Sequence, residues 1–176
     1  MRRYFFFLFL PLQLFAQDIP VKLLEGFQFT EGPAVDRYGH LFFTDVRAQH
    51  IIKYFPETGE HTVYMEHTGG ANGLYCRCGI LYACAGKARS VIAIDSLKHI
   101  TVLARSFEEK KLNSPNDLWI DAHGGIYFTD PRYGNQDDLE QDGMHVYYLH
   151  PGYAKITRII HDRSEEHTSE LQSPNT

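Results

Sequence analysis

With 176 residues, 43% of them hydrophobic and 14% aromatic, the chain holds enough apolar side chains to build a core, which excludes a disordered polymer. A net charge of −5 gives no electrostatic reason to bind a polyanion, so no nucleic-acid partner is expected.

The N-terminus reads MRRYFFFLFLPLQLFAQ, with Arg2 and Arg3, an apolar stretch from Tyr4 to Phe15, and Ala16 before Gln17 and Asp18. That is the layout of a secretory signal peptide cleaved after Ala16, and the apolar run is too short to span a bilayer comfortably. Residues 1–16 are expected to be a leader, and the mature protein periplasmic or extracellular (secreted), with no membrane span after cleavage.

From residue 17 onward an internal repeat organises the chain. EGPAVDRYGHLFFTD from Glu31, ANGLYCRCGILYACA from Ala71 and NDLWIDAHGGIYFTD from Asn116 align so that Gly39, Gly79 and Gly124 coincide, as do Phe42, Tyr82 and Tyr127. Behind each segment follows a β-rich run (HIIKYF, SVIAID, HVYYLH), a turn, and one more run (HTVYM, HITVL, KITRII). Apart from the leader, no segment shows helical periodicity. Repeats of four short strands predict an all-β fold, a β-propeller of four-stranded blades. Residues 17–162 supply about three blades where propellers close with roughly four to eight. A half ring exposes an unpaired flank, so the segment is expected to be unstable alone.

In such a meander the loops alternate between two ends. Glu31 and Asn116 fall at the start of the innermost strands of blades one and three, facing the central channel, while Ala71 takes that register in blade two with Asn72 beside it. A carboxylate and an amide converging on one axis suit a hard cation such as calcium. The same residues, beside Pro33 and Pro115, also suit turn caps, and spacing leaves both readings open. Asp117 follows on the opposite strand face and is expected to hold turn amides. The paired ends Thr44-Asp45 and Thr129-Asp130 repeat, so they are read as architectural, with each Asp accepting backbone hydrogen bonds.

Cys76, Cys78 and Cys84 have neither a second cysteine pair nor a histidine at ligand spacing, and are read as half-buried strand residues. The loop Pro131–Gly143 lies at the same end as Glu31 and Asn116 and far exceeds VRAQ, its counterpart in blade one. Arg132 and Tyr133 are candidates for the pocket wall, and the acidic half of the loop is expected to be solvated. Beyond Asp162 the patterning stops. RSEEHTSELQS, Arg163–Ser173, resembles the conceptual translation of a sequencing-library adapter. Residues 163–176 are therefore expected to be a non-native, disordered tail, and the chain an N-terminal fragment.

TEGPAVDRYGHLFFTD, ANGL and LNSPNDLWIDAHGGIYFTDPRYG, in this repeat frame, resemble the SMP-30/gluconolactonase/LRE family of six-bladed β-propellers from about Val21 to His161. The resemblance implies a metal-dependent hydrolase of sugar lactones with one divalent cation, Ca2+ by preference, on the channel axis. It makes Glu31 a metal ligand, Asn116 a metal ligand or a substrate contact, and Asn72 and Arg132 substrate-binding residues. It places the remaining ligands and the general-base Asp in later blades, so the fragment is expected to be inactive alone. The alternatives are a related propeller esterase or phosphotriesterase, and a non-enzymatic exported propeller that binds a ligand or protein.

Overall fold

The computed structural model describes residues 20–163. The leader assigned to residues 1–16 and the tail, apart from Arg163, lie outside the described residues.

Three four-stranded antiparallel sheets follow one another, each ordered from first strand to last. Blade one is β1 (Thr30–Val35), β2 (Leu41–Asp45), β3 (His50–Phe55) and β4 (Glu60–Met65). Blade two is β5 (Ala71–Arg77), β6 (Ile80–Ala85), β7 (Ser90–Ile94) and β8 (Ile100–Ala104). A small hairpin, β9 (Ser106–Phe107) and β10 (Lys110–Lys111), precedes blade three. Blade three is β11 (Leu118–Ile120), β12 (Ile126–Asp130), β13 (Met144–Leu149) and β14 (Ile156–Arg163). There is no helix among the described residues, as the absence of a helical period predicts. The hairpin is the one element that the repeat did not announce, and it absorbs the longer spacing between the second and third segments.

Strand alternation explains how the blades stack. Leu81, Ala83 and Ala85 of β6 join Ala34, Phe42 and Ile51 in the core between blades one and two. Cys84, from the other face of β6, joins Leu118, Ile126, Phe128, Tyr147 and Leu149 in the core between blades two and three, with Tyr75 and Tyr82 packed against it. The outer face of blade one, Phe43, Ile52 and Tyr54, is covered by Leu24 and Phe27 from the segment before β1. On the far face of blade three Trp119, Tyr127 and Tyr148 stand on one rung, their rings 5.8 and 4.6 Å apart. They are the counterparts of the face that blade two turns toward blade three, and Trp119 is 56% exposed.

The repeated Thr-Asp ends tie the chain down at the top of each sheet. Asp45 accepts the N–H groups of Gln28 and Phe29, both at 3.0 Å, and Asp130 accepts those of Asn113 and Ser114, both at 2.8 Å. Each carboxylate thereby fixes the segment that leads into an inner strand, as expected from the repeat. Of the cysteines, Cys84 is fully buried and burial pushes its thiol well up. Cys76 is half-buried on β5, and burial raises its thiol to about 11. Only Cys76 is half-buried as expected: Cys84 is buried completely, and Cys78 is exposed, in the β5–β6 turn, at a φ of 51°.

Candidate functional site

The inner strands β1, β5 and β11 start at the same end, and each is bulged there. Glu31 pairs with Thr44, and the ladder then jumps from Glu31 to Ala34 on β1 but only from Thr44 to Phe42 on β2. In β5 the jump is from Ala71 to Leu74 against Ala85 to Ala83. In blade three Asn116 donates to Thr129 O while Thr129 donates to Asp117 O, both at 3.0 Å. One extra residue per inner strand re-aims the side chains around it. Counting back from the shared rung of Ala34, Tyr75 and Trp119, the residues on the Glu31 level are Asn72 and Asn116.

This corrects the sequence register, which put Ala71 on that level. Val35 and Ile120 pair with Leu41 and Ile126, six positions on, whereas Cys76 pairs with Leu81, five positions on. The β5–β6 turn is one residue short, so everything before it slips by one. Ala71 is fully buried between the blades, and Asn72 takes the inner position.

Backbone contacts hold the three strand starts together. A Cβ on Gly32 would meet Asn72 O at 2.1 Å, and one on Gly73 would meet the Cα of Asp117 at 2.7 Å. Gly73 N donates to Asn116 O at 2.7 Å, and the hydroxyl of Thr44 donates to Asn72 O at 3.1 Å. Only glycine permits this approach, and at Gly32 the φ of +50° adds a second reason. Asp117 does not hold turn amides: its carboxylate accepts the next residue's N–H, Leu118, at 2.9 Å.

Glu31, Asn72 and Asn116 line one cavity of about 560 Å³ with Phe29, Arg47, Lys87 and Tyr133 among its other walls. Among the described residues, the side chains of Glu31, Asn72 and Asn116 have no hydrogen-bond or ion-pair partner. Three oxygen-bearing side chains on one level, uncommitted to the protein, form a donor set that fits a hard divalent cation. No group of three or more His, Cys, Asp or Glu stands ready to bind a metal among the described residues, so a cation held on this level would take amide oxygens beside one carboxylate.

Arg132 is placed differently. Its guanidinium donates to Asn113 O and Asn135 O, both at 3.1 Å, and pairs with Asp138; the cavity wall is Tyr133. Nor is the acidic half of the loop simply solvated. Asp138 bridges Arg132 and Arg89 of blade two, Glu140 accepts the amide and ammonium of Lys111, and Asp142 accepts Arg158 and His145. Those pairings hold the Asp142 carboxyl down at about 2. Gln141 donates to Phe107 O, Lys110 O and Lys111 O and so docks the loop on the β9–β10 hairpin. The loop is a strap between blades two and three that carries Tyr133 to the cavity. Behind it, burial pushes the Asp130 carboxyl up to about 6, against two backbone N–H bonds that favour its charged form.

Of the cavity walls, Tyr133 was a candidate from the sequence, whereas Phe29, Arg47 and Lys87 were not. A usable signal exists for the two cations: VRAQ and GKAR occupy the same place in successive repeats.

Residues 29–169 match the family described as SMP-30/Gluconolactonase/LRE-like region. A gluconolactonase of Zymomonas mobilis is 27% identical over 154 residues, a match spanning 78% of this chain and 41% of the relative. A Staphylococcus aureus protein, lactonase drp35, is 30% identical over 141 residues, covering 76% of this chain and 42% of the relative. Among solved structures, a gluconolactonase from Xanthomonas campestris superposes with a TM-score of 0.73 at 27% identity, covering 78% of this chain and 49% of that one. The chain thus spans less than half the length of the curated relatives it matches.

Proposed function

Because the chain belongs to the SMP-30/gluconolactonase/LRE-like family, we propose that it contributes the first blades of an exported, metal-dependent hydrolase of sugar lactones. The observation that carries this is the level shared by Glu31, Asn72 and Asn116, three uncommitted oxygen donors in one cavity of about 560 Å³. Glu31 and Asn116 would hold a divalent cation, calcium by its taste for mixed carboxylate and carbonyl oxygens, and Asn72 would contact the cation or the substrate. Such a cation supplies Lewis-acid polarisation of the lactone carbonyl and stabilisation of the oxyanion. The chain's own groups position the reactants: Asn72 and Asn116 offer amide N–H donors to lactone hydroxyls, and the rings of Phe29 and Tyr133 offer apolar wall to the sugar's C–H face. The general base that takes the proton from the attacking water is assigned to an aspartate of later blades. Export rests on the N-terminal signal layout.

The test uses the complete reading frame that carries this sequence. Gluconolactone hydrolysis and calcium affinity are measured for the parent and for Glu31→Gln, with and without chelator. Glu31→Gln should lose both, and the chelator should abolish the parent's activity. Retention of both by the variant would remove Glu31 from the metal site and end the proposal.

A further inference from the structure

Two cations at the mouth of the cavity have no ion-pair partner among the described residues. Val46-Arg47-Ala48-Gln49 and Gly86-Lys87-Ala88-Arg89 are the same four-residue turn in successive blades. Each closes through a bond from its last N–H to its first carbonyl, at 3.2 Å from Gln49 to Val46 and 3.1 Å from Arg89 to Gly86. Each ends on a residue of positive φ, 56° at Gln49 and 53° at Arg89. Arg47 and Lys87 therefore hold the same position in the two turns, and both line the cavity. The Arg47 guanidinium lies 5.7 Å from the centre of the Phe29 ring, which steadies it at the rim. Neither side chain has an ion pair or hydrogen bond among the described residues, and Glu31 is the only carboxylate in the wall they form.

Blade three shows the alternative. Arg132 is the next member of this ring, two positions after the last residue of its second strand, as Arg47 and Lys87 are. It is neutralised by Asp138 and turned onto backbone carbonyls. Where the position serves the fold, the cation has an acid; at Arg47 and Lys87 it is left open toward the cavity. Two unpaired cations lining one cavity suit an anionic oxygen group.

We propose that Arg47 and Lys87 recognise an anionic oxygen group, carboxylate or phosphate, on the lactone substrate, so that the preferred substrate is an acidic sugar lactone. This rests on the cavity being the lactone site. Arg47, with its planar fork, suits two oxygens of one group, while Lys87 acts as a point charge from the neighbouring blade.

The test compares kcat/KM for neutral gluconolactone, its phosphate monoester, and glucarolactone, which carries a carboxylate. The ratio of acidic to neutral lactone should fall about ten-fold in Lys87→Met, the size expected for one charge-assisted hydrogen bond, and further in Arg47→Gln/Lys87→Met. Lys87→Arg should restore it. The phosphate and carboxylate arms identify which anion is read. An unchanged ratio, or no preference for either acidic lactone in the parent, overturns the proposal. If the parent hydrolyses no lactone, the proposed function fails, and binding decides the inference without turnover. Calorimetric titration with phosphogluconate and with glucarate should then show binding weakened about ten-fold in the double variant, and no binding to the parent overturns it.

Discussion

The hydroxyl of Thr44 donates to the backbone carbonyl of Asn72 across 3.1 Å, joining blade one to blade two on the level where both present a side chain to the cavity. Thr44 is fully buried. Thr44→Val keeps the shape but leaves the Asn72 carbonyl short of a partner. It should lower stability by about 1–3 kcal/mol, read as a shift of the denaturant midpoint at unchanged slope.

Gly32→Ala places a methyl group where the Asn72 carbonyl oxygen already stands, 2.1 Å away, and on a backbone of positive φ. The atoms it would meet are backbone, not a flexible side-chain tip. The substitution should cost at least about 1–3 kcal/mol, whereas Gly59→Ala, in an open turn that also has positive φ, should be milder because only the backbone strain applies. Thermal unfolding of the two variants side by side checks the difference.

Two carboxylates move stability with pH in opposite senses. Burial raises Asp130 from its ordinary 3.8 to about 6, so the unfolded chain ionises first. Its penalty is absent below the unfolded value, grows as pH rises through this window, and is complete above it. The size is at most roughly 3 kcal/mol. Asp142, held at about 2 by His145 and Arg158, contributes stability above its ordinary 3.8 that disappears as pH falls toward the folded value. Unfolding free energy measured across this range should lose its fall between the two Asp130 values in Asp130→Asn. In Asp142→Asn it should lose its drop below 3.8.

Asp138 holds the strap by pairing with Arg89 and Arg132, whose side chains are only 14% and 17% exposed. Asp138→Ala should cost only about 1 kcal/mol, since the carboxylate itself faces water. Its larger effect should be local. Amide exchange across residues 131–143 should speed up while that of β6 and β12 stays slow. Unchanged exchange in the loop would show that the Gln141 and Asp142 contacts suffice.

The blades were legible because four-strand repeats write themselves as alternating apolar residues and turns, and Gly39, Gly79 and Gly124 mark the frame. The roles of Asp45 and Asp130 were legible for the same reason: a residue repeated at both strand ends serves what repeats, the capture of the incoming chain. The β9–β10 hairpin was hidden in SFEEKKL, whose charged residues carry no strand pattern. The acidic loop misled because composition counts charges and not partners. Asp138, Glu140 and Asp142 find arginines and a lysine that lie from 6 to 49 residues away in sequence, in blade two, in the hairpin, on β14 or at the start of the loop itself.

By itself, the sequence determined the all-β class, the blade as its unit, the family, and the candidacy of Glu31 and Asn116, since all of these depend on local periodicity and on motifs read along one strand. Only the tertiary structure decided that Asn72 stands level with Glu31, that Arg132 faces the strap while Tyr133 faces the cavity, and that Arg47 and Lys87 share its rim. The physical reason is the period of a strand. One residue fewer in the β5–β6 turn reverses which face every earlier side chain takes, and that shortening becomes visible only when the hydrogen-bonded rungs are counted across the sheet.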